Sequence, residues 1–117
     1  MFENIGFVVY AVTDMPRARA FYEGVLGLTP NAPVSEGHPW VEYDIGSSTL
    51  AIGSSPEWKP SADGATAALE AKDFNAVITA LKGHNVPFML EPQDFPTCHM
   101  AVIQDPDGNK LLIHKRK

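Results

Sequence analysis

The sequence is poor in cysteine, in positive charge and in long apolar runs, and each shortage excludes a class of protein. Cys98 is the only cysteine, which excludes an intrachain disulfide and a zinc site built from several cysteines. The formal net charge is −5, whereas a domain that binds nucleic-acid phosphates is normally basic. No run approaches the roughly 20 apolar residues that span a bilayer, and the start MFENIGFVV lacks the features of a secretory signal. We therefore expect a cytoplasmic protein with no nucleic-acid or membrane partner.

The apolar pattern of the first half predicts a strand, one helix and three further strands. Ile5–Val12 is apolar and β-rich, Asp14 then offers a helix cap, and Pro16 lies in the first helical turn. Gly27 ends the helix. Three strand-like runs follow at 28–34, 40–45 and 49–52. The apolar helix face at i, i+3, i+4, i+7 and i+8 consists of Ala18, Phe21, Tyr22, Val25 and Leu26.

The second half repeats this order. A connector rich in Ser, Pro and Gly covers 54–64, and a strand then spans Ala65–Ala71. Asp73 caps a second helix, which Gly83 stops, and three strands follow at 86–90, 99–104 and 110–114. The 117 residues therefore predict a single α+β domain of two βαβββ modules, about 1–53 and 65–117. We expect the modules to form curved mixed sheets that share a concave face, with the helices on the outer face.

Two hairpins determine which side chains line the open face. A two-residue loop at Gly46-Ser47 pairs Tyr43 with Leu50. Because partners share a face, the helix-covered face then holds Val41, Tyr43, Ile45, Leu50 and Ile52. The other face holds Trp40, Glu42, Asp44, Thr49 and Ala51. In the last hairpin, a four-residue loop at Asp105–Gly108 pairs His99 with His114, and a bulge at Gly108 would shift that register by one residue.

The doubled βαβββ order resembles the vicinal oxygen chelate superfamily, which includes glyoxalase I, extradiol dioxygenases and bleomycin resistance proteins. The stretches that carry the resemblance are VTDMPRARAFYEGVLGL, AKDFNAVITALKGHNV and DPDGNKLLI. Together they cover both helices and the final hairpin. The resemblance implies the fold for the whole chain, and it does not by itself imply one activity.

Metal-dependent relatives hold a divalent ion with His and Glu side chains from four strands, and the ion acts as a Lewis acid. By this analogy the ligand positions here are Phe7, Ala51, Ala67 and Leu112. All four side chains are hydrocarbon, and none can donate N, O or S to a metal. We therefore expect no metal cofactor at these positions.

Among the relatives, the lack of metal ligands at these positions most resembles the bleomycin resistance proteins. In that branch a dimer sequesters a drug between its subunits. The resemblance implies metal-independent binding of an aromatic or cationic small molecule in the groove of a homodimer. Trp40 would stack on the ligand and Glu42 would pair with its charge. The expected ligand-binding residues are Phe7, Trp40, Glu42, Ala51, Ala67, His99, Leu112 and His114.

Two other functions stay open. If the register of the last hairpin holds, His99, His114 and Glu42 form either a displaced metal site or a general-base site of a glyoxalase- or dioxygenase-like enzyme. The chain is otherwise a protein-interaction module that retains only the fold. Each residue also has a plainer interpretation: the histidines are structural side chains at strand ends, Trp40 closes the sheet edge, and Glu42 is solvated. Cys98 is interpreted as a buried, inert thiol.

Overall fold

The computed structural model describes all 117 residues. The chain forms two compact units, Met1–Pro60 and Ser61–Lys117. Their boundary falls inside the predicted connector 54–64. No helix is both long enough and apolar enough to cross a membrane.

The first unit contains a three-stranded mixed sheet and one helix. In chain order its elements are β1 (Val8–Ala11), α1 (Met15–Arg19), a π-helical continuation (Ala20–Val25), β2 (Trp40–Ile45) and β3 (Ser48–Gly53). The strand order is β1-β3-β2, with β1 parallel and β2 antiparallel to the central β3. The two edge strands are therefore β1 and β2.

The first helix begins as predicted and then departs from α geometry. The Asp14 carboxylate accepts a hydrogen bond from the Arg17 backbone N–H at 3.0 Å, and Pro16 lies in the first turn. From Ala20 the backbone is π-helical, and the chain leaves the helix at Gly27 with φ +72°. The wider π turn rotates the end of the predicted apolar face. Accordingly, Ala18, Phe21 and Tyr22 are buried, whereas Val25 and Leu26 are only half-buried.

The strand predicted at 28–34 is wrong. Pro30 makes a single isolated bridge to Tyr43, and the Asn31 N–H bonds the Glu42 carbonyl at 2.9 Å. Proline lacks the N–H that a ladder requires, and Pro30 and Pro33 remove two such donors within four residues. The segment instead runs as irregular chain along the edge of β2.

The hairpin predicted at Gly46-Ser47 is confirmed. Tyr43 pairs with Leu50, Glu42 pairs with Ala51, and Gly46 takes φ +59°. The helix-covered face is largely as expected, because four of its five predicted residues are buried and Ile45 alone is half-buried. The buried members are Val41, Tyr43, Leu50 and Ile52.

The second unit contains a four-stranded sheet and one helix. Its elements are β4 (Ala67–Glu70), α2 (Phe74–Gly83), β5 (Phe88–Asp94), β6 (Cys98–Gln104) and β7 (Lys110–Arg116). The strand order is β4-β7-β6-β5, with β4 parallel to β7 and the other pairs antiparallel. Asp73 caps α2 through the Ala76 N–H at 3.1 Å, as predicted.

The register predicted for the last hairpin is wrong by one residue. Met100, and not His99, pairs with His114, because the loop holds five residues, Asp105–Asn109. Asp105 is buried and its Oδ1 accepts the N–H groups of Asp107 and Asn109, both at 2.9 Å. Gly108 takes φ +84° within this loop. A one-residue shift moves every following side chain to the opposite face.

The α+β class is confirmed, with two mixed sheets that each carry one helix. The βαβββ order holds in the second unit, whereas the first unit has three strands and the irregular segment. The shared concave face stays a prediction.

Candidate functional site

The face of the first sheet that lies away from the helix carries an indole and a carboxylate side by side. Trp40 and Glu42 are two residues apart on β2, so their side chains share a face. The Trp40 Nε1–H donates a hydrogen bond to Glu42 Oε2 at 2.8 Å. Both residues are half-buried. The other Glu42 oxygen accepts from the Asn31 amide at 3.4 Å, so the carboxylate has neutral donors and no cationic partner.

Gly53 allows two indoles to approach the sheet. It pairs with Trp40 across β2 and β3. A Cβ at Gly53 would lie 2.8 Å from Trp40 Cε3 and 2.9 Å from Trp58 Cζ3, which is closer than a real Cβ tolerates. Trp58 is held by a bridge to Ser55 and is 37% exposed. The missing side chain therefore leaves room for both rings against one backbone position.

Phe7 and Ala51 lie with this group. The Phe7 ring meets the Trp40 ring edge to face, with centroids 5.4 Å apart at 83°. Phe7 is 46% exposed, whereas Ala51 is fully buried between its register partners Val9 and Glu42. Phe7, Trp40, Glu42, Ala51, Gly53 and Trp58 are called the aromatic site below.

A cleft of about 290 Å³ lies along the outer edge of β2. Trp40 and Glu42 contribute to its lining, together with the segment Asn31–Ser35 and His38. The His38 Nδ1 lies 3.2 Å from the Trp40 backbone nitrogen and 3.0 Å from the Trp40 carbonyl oxygen, at the start of β2. The volume is close to the lower end of ordinary ligand pockets.

A second cleft, of about 400 Å³, lies between the helix of this unit and the segment Val34–His38. Its polar lining includes Arg19 and Glu23, whose guanidinium and carboxylate pair at 2.6 Å. Glu23 also accepts a hydrogen bond from the buried Tyr43 hydroxyl at 2.9 Å. The hydrogen bond from the Arg19 guanidinium is the chief cause of the lowered pKa of Glu23, and burial raises the pKa of Tyr43. The network therefore joins the π-helical segment to β2.

The predicted positions in the second unit do not share a face. Ala68 pairs with Leu112, and Ala67 pairs with Leu111, which is fully buried. Ala67 is therefore on the opposite face of the sheet from Leu112. Leu112 is half-buried on the face away from the helix.

His99 and His114 are also on opposite faces. His99 stacks on Phe74 of α2, with ring centroids 5.5 Å apart, so it lies on the helix side. His114 pairs with Met100 and Glu70 on the other side, and its Nδ1 lies 2.5 Å from Glu70 Oε1. The predicted combination of His99, His114 and Glu42 therefore does not form, because it required the wrong hairpin register.

The residues at the four positions that the resemblance assigns to metal ligands do not fit a metal. Phe7, Ala51, Ala67 and Leu112 offer only hydrocarbon, and no group of three or more His, Cys, Asp or Glu side chains could hold an ion.

Three residues of the aromatic site and of the His114 surface are absent from the predicted ligand-binding set. The place of Trp58 in the connector predicts at most a position at the rim of a groove, and its indole lies against Gly53. Gly53 carries a usable signal, since a glycine inside a strand often marks a close approach. Nothing in the local sequence around Glu70 predicts its contact with His114. That contact depends on the parallel pairing of β4 with β7, which brings together residues 44 positions apart in the sequence.

Comparison with known proteins identifies the family. The model of the Glyoxalase/Bleomycin resistance protein/Dioxygenase superfamily matches residues 4–113. The chain belongs to this superfamily. No curated protein matches the sequence.

Solved structures give the same fold. A member of this superfamily from Sphaerobacter thermophilus is 20% identical with a TM-score of 0.76, and 98% of each chain is covered. TnmS3, an antibiotic binding protein from Streptomyces sp. CB03234, is 21% identical with a TM-score of 0.75 and full coverage of both chains. A virulence protein from Salmonella typhimurium is 22% identical with a TM-score of 0.72, covering 100% of this chain and 99% of its own. At these identities the likeness establishes the fold alone.

Proposed function

We propose that this superfamily member binds and sequesters a flat, cationic aromatic molecule at the aromatic site, without a metal and without chemical conversion. The observation that carries the proposal is the pairing of Trp40 with Glu42. A π-face and a carboxylate lie side by side on a half-exposed sheet face, and the carboxylate lacks a cation. These are the two groups that an aromatic cation requires.

The arrangement is already ordered without a ligand. The absence of a side chain at Gly53 leaves room for the Trp40 and Trp58 indoles. The Phe7 ring contacts Trp40 edge to face, and the Trp40 N–H donates a hydrogen bond to the Glu42 carboxylate. An ordered site lowers the entropy that a ligand must overcome. The hydrocarbon side chains at the positions of the family's metal ligands agree with binding that needs no ion.

One structural relative gives further support. TnmS3 shares the fold and is an antibiotic binding protein. Function depends on the site and not on the fold, so this likeness supports a binding role and does not identify a ligand. The proposal for this chain therefore depends on its own Trp40 and Glu42.

A thermal shift series with proflavine, a planar aromatic cation, tests the proposal. Proflavine in the presence of EDTA should raise the unfolding temperature in a concentration-dependent way, because a ligand that binds only the folded state stabilises it. Trp40→Ala should lose most of this shift, since stacking on an aromatic side chain is worth about 1–3 kcal/mol.

The matched control is Phe95→Ala. Phe95 is also an exposed aromatic residue, at 39%, but it lies in the other unit and outside the aromatic site. Its variant should keep the full proflavine shift. An equal loss in both variants, or no shift in the wild type, would overturn the proposal and favour the protein-interaction alternative.

We also propose that the protein is a homodimer and acts in the cytoplasm. Support for the dimer comes from a run of exposed apolar side chains before and at the start of the edge strand β1, namely Met1, Phe2, Ile5, Phe7 and Val8. Exposed apolar patches beside sheet edges are typical of association surfaces. Light scattering across a dilution series would give a concentration-independent dimer mass, and a monomer mass would contradict it.

A further inference from the structure

We propose that the second unit carries a proton-accepting site, formed by His114 and Glu70, that binds a phenol and accepts its hydroxyl proton. This goes beyond the proposed function, because it uses none of the residues of the aromatic site.

The geometry selects one tautomer of His114. The His114 Nδ1 lies 2.5 Å from Glu70 Oε1, and a carboxylate can only accept a hydrogen bond. A proton therefore lies on Nδ1, and in the neutral ring Nε2 is the nitrogen that carries the lone pair. Nε2 makes no hydrogen bond in the structure, although the His114 side chain is only 21% exposed. A neutral imidazole held in this way is a general base.

Glu70 is itself fixed in place. Its second oxygen, Oε2, accepts the Arg116 backbone N–H at 2.8 Å, which links the last residue of β4 to the last residue of β7. This bond, and then the one to His114, hold the pKa of Glu70 below its usual range, with Lys115 adding a smaller effect. The carboxylate thus stays ionised where it can stabilise a positive imidazole.

The surroundings indicate an apolar ligand that carries one acidic group. On the ladder His114 has Met100 on one side, and the next pair along the same face is Val102 with Leu112. All three apolar side chains are half-buried and lie away from the helix. An aromatic ring suits such a surface, and a methionine sulfur contacts rings favourably. A phenol combines this ring with an acidic O–H.

The proton transfer is balanced without any other reactant. The phenol O–H bond breaks, its electron pair stays on the oxygen, and the proton forms a bond with Nε2. The products are a phenolate and an imidazolium, and the imidazolium keeps its Nδ1–H bond to the Glu70 carboxylate. Nothing is oxidised or reduced.

The test uses 4-nitrophenol, whose ionised form absorbs visible light, titrated with the full-length protein at constant pH. Binding should raise the visible absorbance above that of the free probe at the same pH. His114→Gln should abolish the increase, and Glu70→Gln should reduce it several-fold, because the imidazolium loses its counter-charge. An unchanged absorbance in the wild type, or an increase that persists in His114→Gln, would overturn the proposal.

Two controls keep the result decisive. His84→Gln removes an exposed histidine just after α2 and should leave the increase intact. If either site variant fails to fold, ¹⁵N NMR of the wild-type histidines gives the answer directly. A pyridine-type Nε2 and a protonated Nδ1 at His114 support the proposal, and the reverse tautomer overturns it. The readout is the tautomer of His114 or the ionisation of 4-nitrophenol, and neither is measured in the proflavine experiment.

Discussion

The Trp40 indole N–H donates a 2.8 Å hydrogen bond to the Glu42 carboxylate from two positions away on the same strand. The alternation of a strand puts both side chains on one face, and the bond fixes the ring beside the charge. This relationship makes the two residues a unit. A ligand that stacks on the indole meets the carboxylate at its edge.

Removing only the charge should weaken binding of an aromatic cation. In Glu42→Gln the amide oxygen can still accept from Trp40, so the ring orientation is retained while the ionic attraction is lost. We expect the Kd for proflavine to rise about tenfold, which corresponds to about 1.4 kcal/mol. A fluorescence titration measures it. Asp63→Asn, which removes an exposed charge in the other unit, is the control and should leave the Kd unchanged.

Adding one methyl group at Gly53 should displace both indoles. The new Cβ would lie under 3.0 Å from Trp40 and Trp58, and its strand position leaves no free direction. We expect Gly53→Ala to lower the free energy of unfolding by about 1–3 kcal/mol and to shift the tryptophan emission. Gly64→Ala adds the same group where nothing lies within 4 Å, and should do neither. Equal changes in unfolding free energy and tryptophan emission in both variants would show that the two indoles do not need a glycine at position 53.

The Arg19–Glu23 ion pair should make the free energy of unfolding depend on pH in the acid range. The pKa of Glu23 is lowered mainly by its hydrogen bond from Arg19. Because the folded pKa lies below the unfolded one, the stabilisation is present at neutral pH and is lost as the pH falls through the folded pKa. Glu23→Gln should therefore cost on the order of 1 kcal/mol at neutral pH and much less in acid.

Urea unfolding at several pH values measures this difference. Glu91→Gln is the matched control, because Glu91 pairs with Lys82 at the same 2.6 Å but the two side chains are 59% and 52% exposed. Exposed pairs of this kind contribute little. If Glu23→Gln costs the same at every pH, the account of its pKa is wrong.

The last hairpin should depend on Asp105. Its carboxylate accepts the N–H groups of Asp107 and Asn109 and the Asn109 side-chain amide, the last at 2.8 Å, and both Asp105 and Asn109 are buried. Asp105→Ala leaves several buried donors without an acceptor and should cost about 2–3 kcal/mol of unfolding free energy. Urea denaturation checks this. A loss under about 0.5 kcal/mol, the level of an ordinary surface change, would contradict it.

Structural elements that are determined by a few neighbouring residues could be predicted from the sequence. The caps at Asp14 and Asp73 and the Gly46-Ser47 hairpin are determined within a few residues, and the structure agrees with all three. The register of the last hairpin could not be predicted. The length of its loop depends on whether the buried Asp105 carboxylate accepts hydrogen bonds from Asn109. That single residue decided the placement of His99 and His114.

The candidate site was predictable only in part. Trp40 and Glu42 follow from strand alternation and a correct register. The contribution of Trp58 depends on how a bridge at Ser55 folds the connector back onto Gly53, and the pairing of Glu70 with His114 depends on strands 44 residues apart in sequence. Contacts of this kind arise from tertiary packing and have no periodic signal in the chain.

The most direct test of the central claim is a calorimetric titration of proflavine into the protein before and after exhaustive chelator treatment, and again after addition of Zn²⁺ or Ni²⁺. Binding at the aromatic site needs no ion, so we expect the same Kd in all three states. Binding that disappears in chelator and returns with metal would contradict the account.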